Sequence, residues 1–97
     1  MDIITIARRR FTMAFPRIYS EQQYTSAVTA AVADLLKSYR GYQIDVLRQL
    51  PCHERDIRAY ELWITAWDRN VDRYEFIYEL RIGIVRGELI VLSWMPL

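Results

Sequence analysis

The chain has 97 residues, of which 53% are hydrophobic and 26% charged, and its formal net charge is +1. This length and composition favour one globular domain over residues 1–97 and exclude a disordered or low-complexity chain. No apolar run reaches the ~20 residues of a membrane helix, so we expect no membrane insertion. One Cys and one His are too few for a disulfide framework or a zinc site, and we predict no metal and no cofactor.

Residues 1–19 are predicted to form an N-terminal arm or a short extra strand, because residues 2–7 are rich in β-branched side chains. Arg8, Arg9 and Arg10 follow this run, and Arg17 lies a little further on. Paired arginines also occur in bacterial export signals, but such signals continue into an apolar stretch and a small-residue cleavage site. The residues after Pro16 are polar instead, so we predict a cytoplasmic protein.

Residues 20–40 are predicted to form one long helix. Ser20 is followed three positions later by Gln23, which is the spacing of a helix capping box. Gly41 lies where a residue with positive φ commonly follows a helix. Apolar side chains recur every three or four residues between these signals, which is typical of a helix with one buried face: Tyr24, Ala27, Val28, Ala31, Val32, Leu35 and Tyr39.

Residues 42–94 are predicted to form four antiparallel strands, because the apolar period changes from 3.6 to 2 after Gly41. Polar and charged side chains fill many of the odd positions between them, as expected when one face of a sheet packs on a core. The even-numbered positions are the apolar ones: Tyr42, Ile44, Val46, Tyr60, Leu62, Ile64, Ala66, Tyr74, Phe76, Tyr78, Leu80, Ile82, Ile84, Ile90, Leu92 and Trp94.

The turn between the last two strands constrains their register. A two-residue turn at Arg86 and Gly87 would pair even positions with odd ones and split the apolar face. We therefore predict a three-residue turn with Gly87 in a bulge. This turn pairs Ile82 with Ile90, Leu80 with Leu92, and Tyr78 with Trp94, while in the preceding hairpin we expect Glu61 opposite Arg81 and Leu62 opposite Leu80.

Together these elements predict an α+β domain with two layers, one helix on a four-stranded antiparallel meander. The order of elements resembles the cystatin-like layout, in which an antiparallel sheet wraps around a single helix. The Gln-x-Val-x-Gly loop by which that family binds proteases is absent from this sequence. The resemblance therefore implies a fold and not protease inhibition.

Catalytic groups are sparse. Cys52, His53 and Glu54 combine a nucleophile, a base and a carboxylate, but a working Cys–His pair usually comes from separate segments whose side chains face each other. These three follow Pro51 in a predicted connection between strands, and we interpret them as a solvated connector.

The glutamates of the middle strands are interpreted in the same way. Glu75 and Glu79 share their predicted sheet face with Arg73 and Arg81, which neutralise them more simply than a catalytic site would use them. We predict no catalytic residues and no enzymatic activity.

The odd face of the sheet carries more apolar surface than a solvated face needs. One helix cannot cover both faces, so either residues 1–19 or another protein covers this one. We predict a protein-interaction or regulatory domain that forms a homodimer, with a heterologous protein as the other possible partner. The predicted binding residues are an apolar centre of Trp63, Trp67, Ile77, Leu89 and Val91 with Arg73 and Arg81 at its rim.

An alternative function is binding nucleic acid through Arg8, Arg9, Arg10 and Arg17, whose guanidinium groups would hold phosphates. The near-zero net charge disfavours this function, since nucleic-acid-binding domains usually carry a basic excess.

The alternative is tested by replacing Arg8, Arg9 and Arg10 with Ala and measuring binding to a short DNA duplex by fluorescence anisotropy. If the alternative holds, the wild type binds at 50 mM salt, loses affinity steeply as salt rises, and binds at least about tenfold more tightly than the triple variant. Binding that does not depend on salt, or no binding at low salt, would contradict it.

Overall fold

The computed structural model describes residues 18–97, which fold into one helix and four strands. The elements are α1 (Glu21–Leu35), β1 (Gly41–Leu50), β2 (Ile57–Trp67), β3 (Arg73–Val85) and β4 (Glu88–Pro96). The strands lie in the order β1-β2-β3-β4, and each pair of neighbours is antiparallel. The predicted α+β fold, with one helix on an antiparallel meander, is confirmed. The strand predicted at residues 2–7 lies outside the described residues.

Helix α1 begins with the predicted capping box. The Ser20 hydroxyl accepts a hydrogen bond from the Gln23 amide at 3.1 Å, and the Gln23 side chain accepts one from the Ser20 amide at 2.8 Å. Two amides that would otherwise lack partners are thereby satisfied, which fixes the start of the helix.

The helix ends at Leu35 and not at residue 40, so the predicted C-terminal boundary is wrong. The Tyr39 amide bonds to the Leu36 carbonyl at 3.0 Å, and the Arg40 amide bonds to the Trp67 carbonyl at 2.8 Å. The bond to Trp67 draws the chain into the sheet, and Gly41 is the first residue of β1 instead of a helix cap.

The core lies between α1 and the even positions of the two central strands, as the period of 2 predicted. Leu62 and Leu80 are fully buried, and several aromatic side chains pack around the cluster. The buried core residues are Tyr24, Val28, Ala31, Val32, Leu36, Tyr60, Leu62, Ile64, Ala66, Leu80 and Ile82.

Strand β1 contains a bulge that the alternation does not reveal. Ile44 lies opposite Ile64, but Val46 lies opposite Trp63, so Asp45 is an extra residue in the ladder. Beyond the bulge every side chain changes face. Leu47 therefore lies opposite Leu62 on the helix side, whereas the uninterrupted alternation had assigned it to the other face.

The turn between β3 and β4 has two residues, which corrects the predicted three-residue turn. Arg86 and Gly87 have φ values of 53° and 80°, as a tight hairpin of this kind requires. The expected mismatch of even and odd positions is removed further along by a bulge at Leu92, because Arg81 pairs with Ser93 and Ile82 with Val91.

Gly83 makes room for the residue that the bulge displaces. A Cβ atom at Gly83 would lie 2.7 Å from Leu92 Cδ1 and 3.2 Å from Ile57 Cγ1. The side chain of the neighbouring Ile82 is buried on the helix side of the sheet. A Cβ atom at Gly83 would therefore point to the other face, away from the helix. The side chain of Leu92 therefore lies on the face of the sheet opposite the helix. The even-numbered pattern had placed it in the helix-side core, and this prediction is wrong.

The register between β2 and β3 differs by two positions from the expected one. Glu61 lies opposite Glu79 instead of Arg81, and Leu62 lies opposite Tyr78. The cause is the short connecting loop, in which the Asp68 carboxylate accepts the amides of Asn70 and Asp72, both at 2.9 Å. A shift by two residues preserves the face of every side chain, so the core prediction is unaffected.

The packing is tested by replacing Leu62 and its cross-strand neighbour Leu47 separately with Ala. Leu62 is fully buried and Leu47 is 40% exposed. We expect urea denaturation to show a loss of about 2–5 kcal/mol in the free energy of unfolding for Leu62→Ala and about 1 kcal/mol or less for Leu47→Ala. Equal losses would mean that the helix side of β1 is covered.

Candidate interaction surface

The sheet face opposite α1, named the open face here, is formed by side chains that alternate with the buried core. Its members are Gln43, Val46, Arg48 and Leu50 on β1; Ile57, Ala59, Glu61, Trp63, Thr65 and Trp67 on β2; Arg73, Glu75, Ile77, Glu79, Arg81, Gly83 and Val85 on β3; and Glu88, Ile90, Leu92, Ser93 and Met95 on β4. Ala59 and Thr65 are buried between longer neighbours, whereas Met95 is 49% exposed. The face therefore combines exposed apolar and charged side chains.

An apolar row crosses the open face at its middle. Trp63 lies opposite Val46 on one side and opposite Ile77 on the other. All three side chains are well exposed, with fractions of 44% for Trp63 and 38% for each of its neighbours. Exposed apolar side chains that are contiguous across three strands form a patch of the kind that marks interaction surfaces.

A charged row lies beside the apolar row. Glu61 and Glu79 are directly opposite each other, an arrangement that is destabilising for like charges. Each is neutralised by its own arginine: Arg48 pairs with Glu61, and Arg81 Nε donates to Glu79 Oε2 at 2.8 Å. The row is therefore internally compensated and does not require a partner.

Trp63 is tied to the charged row. Its indole nitrogen donates to Glu61 Oε2 at 2.6 Å, while Arg48 holds the other carboxylate oxygen. These two hydrogen bonds lower the pKa of Glu61 below its usual range, because both favour the charged carboxylate. The hydrogen bond to Glu61 restrains the orientation of the exposed indole.

A shallow groove of about 440 Å³ lies at the end of the open face nearer the Asp68 loop. Its residues include Asp45, Trp63, Thr65, Arg73, Glu75 and Ile77. The Asp45 carboxylate accepts hydrogen bonds from Thr65 Oγ1 at 2.5 Å and Gln43 Nε2 at 2.7 Å, which lower the pKa of Asp45. Arg73 pairs with Glu75 at 2.9 Å.

The structure places several predicted binding residues on one face. Trp63, Ile77, Arg73 and Arg81 lie on the open face as expected. Trp67 lies there too, at the end of β2 opposite Arg73, where it is partly buried.

Two other assignments to this face are wrong. Leu89 lies opposite Ile84 and packs against the helix-side core, and Val91 lies opposite the buried Ile82. Both assignments fail because the two-residue turn reverses the parity of β4 up to the bulge at Leu92.

Sequence reasoning missed Val46 and Asp45 for the same kind of reason. A bulge in β1 brings Val46 into the apolar row and leaves Asp45 at the groove. One signal for the bulge was an aspartate between Ile44 and Val46 in the middle of the strand, since strands disfavour aspartate.

The Cys52-His53-Glu54 segment lies in the connection between β1 and β2, where His53 and Glu54 are exposed. Glu54 Oε1 lies 3.6 Å from Arg81 Nη1 and forms a salt bridge with it. Within residues 18–97, no three metal-ligating side chains come together. No helix in this part of the chain is both long and apolar enough to cross a bilayer.

Arg8, Arg9, Arg10 and Arg17, the basis of the nucleic-acid alternative, lie outside the described residues. That alternative stays a prediction. The described part of the chain holds nine of the 13 basic side chains and 11 of the 12 acidic ones, so its own charge does not favour a polyanion.

No protein-family model matches this chain, and no curated protein or solved structure matches it either. Function therefore has to be inferred from the described side chains themselves. Among them, the open face with its exposed tryptophan is the feature that most needs an explanation.

The contacts of Glu61 are tested by the pH dependence of stability. Folding lowers the pKa of Glu61, so the ionised carboxylate stabilises the folded protein. This contribution to the free energy of unfolding is fully present above the pKa of the unfolded chain, about 4.3, and is lost as the pH falls through the lower pKa of the folded state. The difference in the free energy of unfolding between the wild type and Glu61→Gln should therefore be larger at pH 7 than at pH 3. Glu88→Gln, which removes a carboxylate at an exposed position on β4, is measured in parallel as the control for the loss of one surface charge.

Proposed function

We propose that this protein is a non-enzymatic interaction domain of regulatory type that binds protein through the open face, and that its first partner is a second copy of itself. The observation that carries the proposal is the apolar row centred on Trp63, which is 44% exposed. An apolar centre with a polar rim is the usual organisation of a protein interface.

The chemistry of the row suits a binding anchor. Tryptophan is enriched among the residues that contribute most to binding, because its large ring loses much water contact for little conformational entropy. The hydrogen bond to Glu61 reduces that entropy further by holding the Trp63 side chain in place. The neighbouring charges are already paired, so burying them does not leave an isolated ion.

Association by the face is favoured over association by the sheet edges. Both edge strands carry a bulge, at Asp45 in β1 and at Leu92 in β4, while the ladder between the central strands has none. Bulges at edges are a common way in which proteins prevent strands of other molecules from adding to a sheet. The flat surface left for a partner is therefore the face.

The size of the face is adequate for a dimer. Four strands spaced by about 4.8 Å and rising about 3.3 Å per residue span roughly 600 Å² in projection when each has about ten residues. Standard interfaces bury about 800 Å² of accessible surface per partner, and accessible surface exceeds the projected area. A two-fold pairing of open faces reaches that range.

The proposal predicts that Trp63→Glu abolishes self-association without unfolding the domain, because a charge would then be buried at the centre of the interface. Multi-angle light scattering on a sizing column should give a dimer for the wild type and a monomer for the variant, at both low and high salt. Circular dichroism should show the same secondary structure for both.

Leu47→Glu is the matched control. Leu47 is 40% exposed, similar to Trp63, but lies on the helix side of the sheet. This variant should remain a dimer. A monomeric wild type contradicts self-association and favours coverage by a heterologous protein or by residues 1–17, whereas loss of the fold in Trp63→Glu would make Trp63 a core residue.

A further inference from the structure

We infer that the groove beside Trp63 receives the guanidinium group of Arg48 from a second copy of this chain, forming a reciprocal pair of Asp45–Arg48 contacts across a two-fold axis. This inference rests on the proposed function, since it requires that open faces meet. It adds the contact that sets the register of the two copies.

Asp45 is the carboxylate of the groove that forms no salt bridge within residues 18–97. The positive charge of Arg73 helps to lower the pKa of Asp45, but Arg73 itself is paired with Glu75. The two hydrogen bonds of Asp45 come from neutral groups, the hydroxyl of Thr65 and the amide of Gln43. A carboxylate accepts about four hydrogen bonds, so lone pairs remain for a further donor.

The groove suits a guanidinium in shape as well as in charge. Asp45 is fixed by its two donors, and the indole of Trp63 lies at the same groove. A planar guanidinium can stack on an aromatic ring while donating to a carboxylate at its edge, which an ammonium group cannot do as well. The groove is lined by two carboxylates, Asp45 and Glu75, and by one guanidinium, Arg73, so its lining carries a net negative charge.

The open face itself supplies the matching cation. In a two-fold contact the same patch is presented by both copies, so each open face meets the arginines of the other. The side chain of Arg48 is 63% exposed and lies on the same strand as Asp45, with Val46 and Leu47 between them.

The spacing of these two residues locates the axis. If Arg48 of each copy contacts Asp45 of the other, the two-fold axis passes close to Val46. The apolar row then lies at the centre of the interface, where an anchoring tryptophan is expected. Because guanidinium has five donors, Arg48 can keep its bond to Glu61 and still reach a second carboxylate.

The test is a charge exchange. Asp45→Arg places two arginines together in a homodimer, and Arg48→Asp places two aspartates together, so each variant alone should dimerise at least about tenfold more weakly than the wild type. An equimolar mixture should form a heterodimer, because each Asp45–Arg48 contact then joins opposite charges. Sedimentation equilibrium on single and mixed variants measures this, with circular dichroism to confirm folding.

The control mixture contains Asp45→Arg and Arg69→Asp, a variant with the same charge change at an exposed position in the Asp68 loop. This mixture should not form a heterodimer. The inference is overturned if Asp45→Arg dimerises like the wild type while Trp63→Glu does not, an outcome in which the proposed function stands. It is also overturned if the mixture of Asp45→Arg and Arg48→Asp stays monomeric. A monomeric wild type overturns the proposed function and this inference together.

Discussion

In the described part of this chain, one helix covers one face of a four-stranded sheet and leaves the other face exposed. The packing, the bulges and the surface charges all depend on this constraint. Helix α1 has 15 residues, or about 22 Å of length, and it packs on the even positions of the central strands. The strands are nonetheless apolar at several positions on their other side, where Trp63, Ile77 and Val46 lie. Among the described residues, this fold therefore buries one apolar layer under the helix and leaves a second group of apolar side chains exposed on the other face of the sheet.

Local irregularities decide which apolar side chains reach that second layer. The bulge at Asp45 exchanges Val46 and Leu47 between the two faces, and the bulge at Leu92 restores the register of β4 after its tight turn. Both bulges are in edge strands, where they also disrupt a template for strand addition. The same irregularities that protect the edges therefore shape the face, and one of them leaves Asp45 at the groove.

The electrostatics of the open face stabilise it as a fixed surface. Glu61 and Glu79 would repel each other across β2 and β3, and their arginines compensate this repulsion on either side. The indole of Trp63 joins the same network through Glu61. A surface whose charges are already paired and whose aromatic anchor is already oriented loses little further freedom when a partner binds, which favours association.

The amino-acid sequence by itself determined the fold class, the start of the helix and the buried even positions of the central strands. Capping signals and hydrophobic periods are local, and they depend only on residues a few positions apart. The end of the helix, the register at Glu61, and the faces of Leu47, Leu89 and Val46 were decided only in the tertiary structure. Each depends on how one strand fits its neighbour, through the Arg40–Trp67 hydrogen bond, the loop closed by Asp68, and the two bulges. A one-residue bulge reverses every later side chain in its strand without changing the pattern of the sequence, so periodicity identifies a second apolar layer but not all of its members.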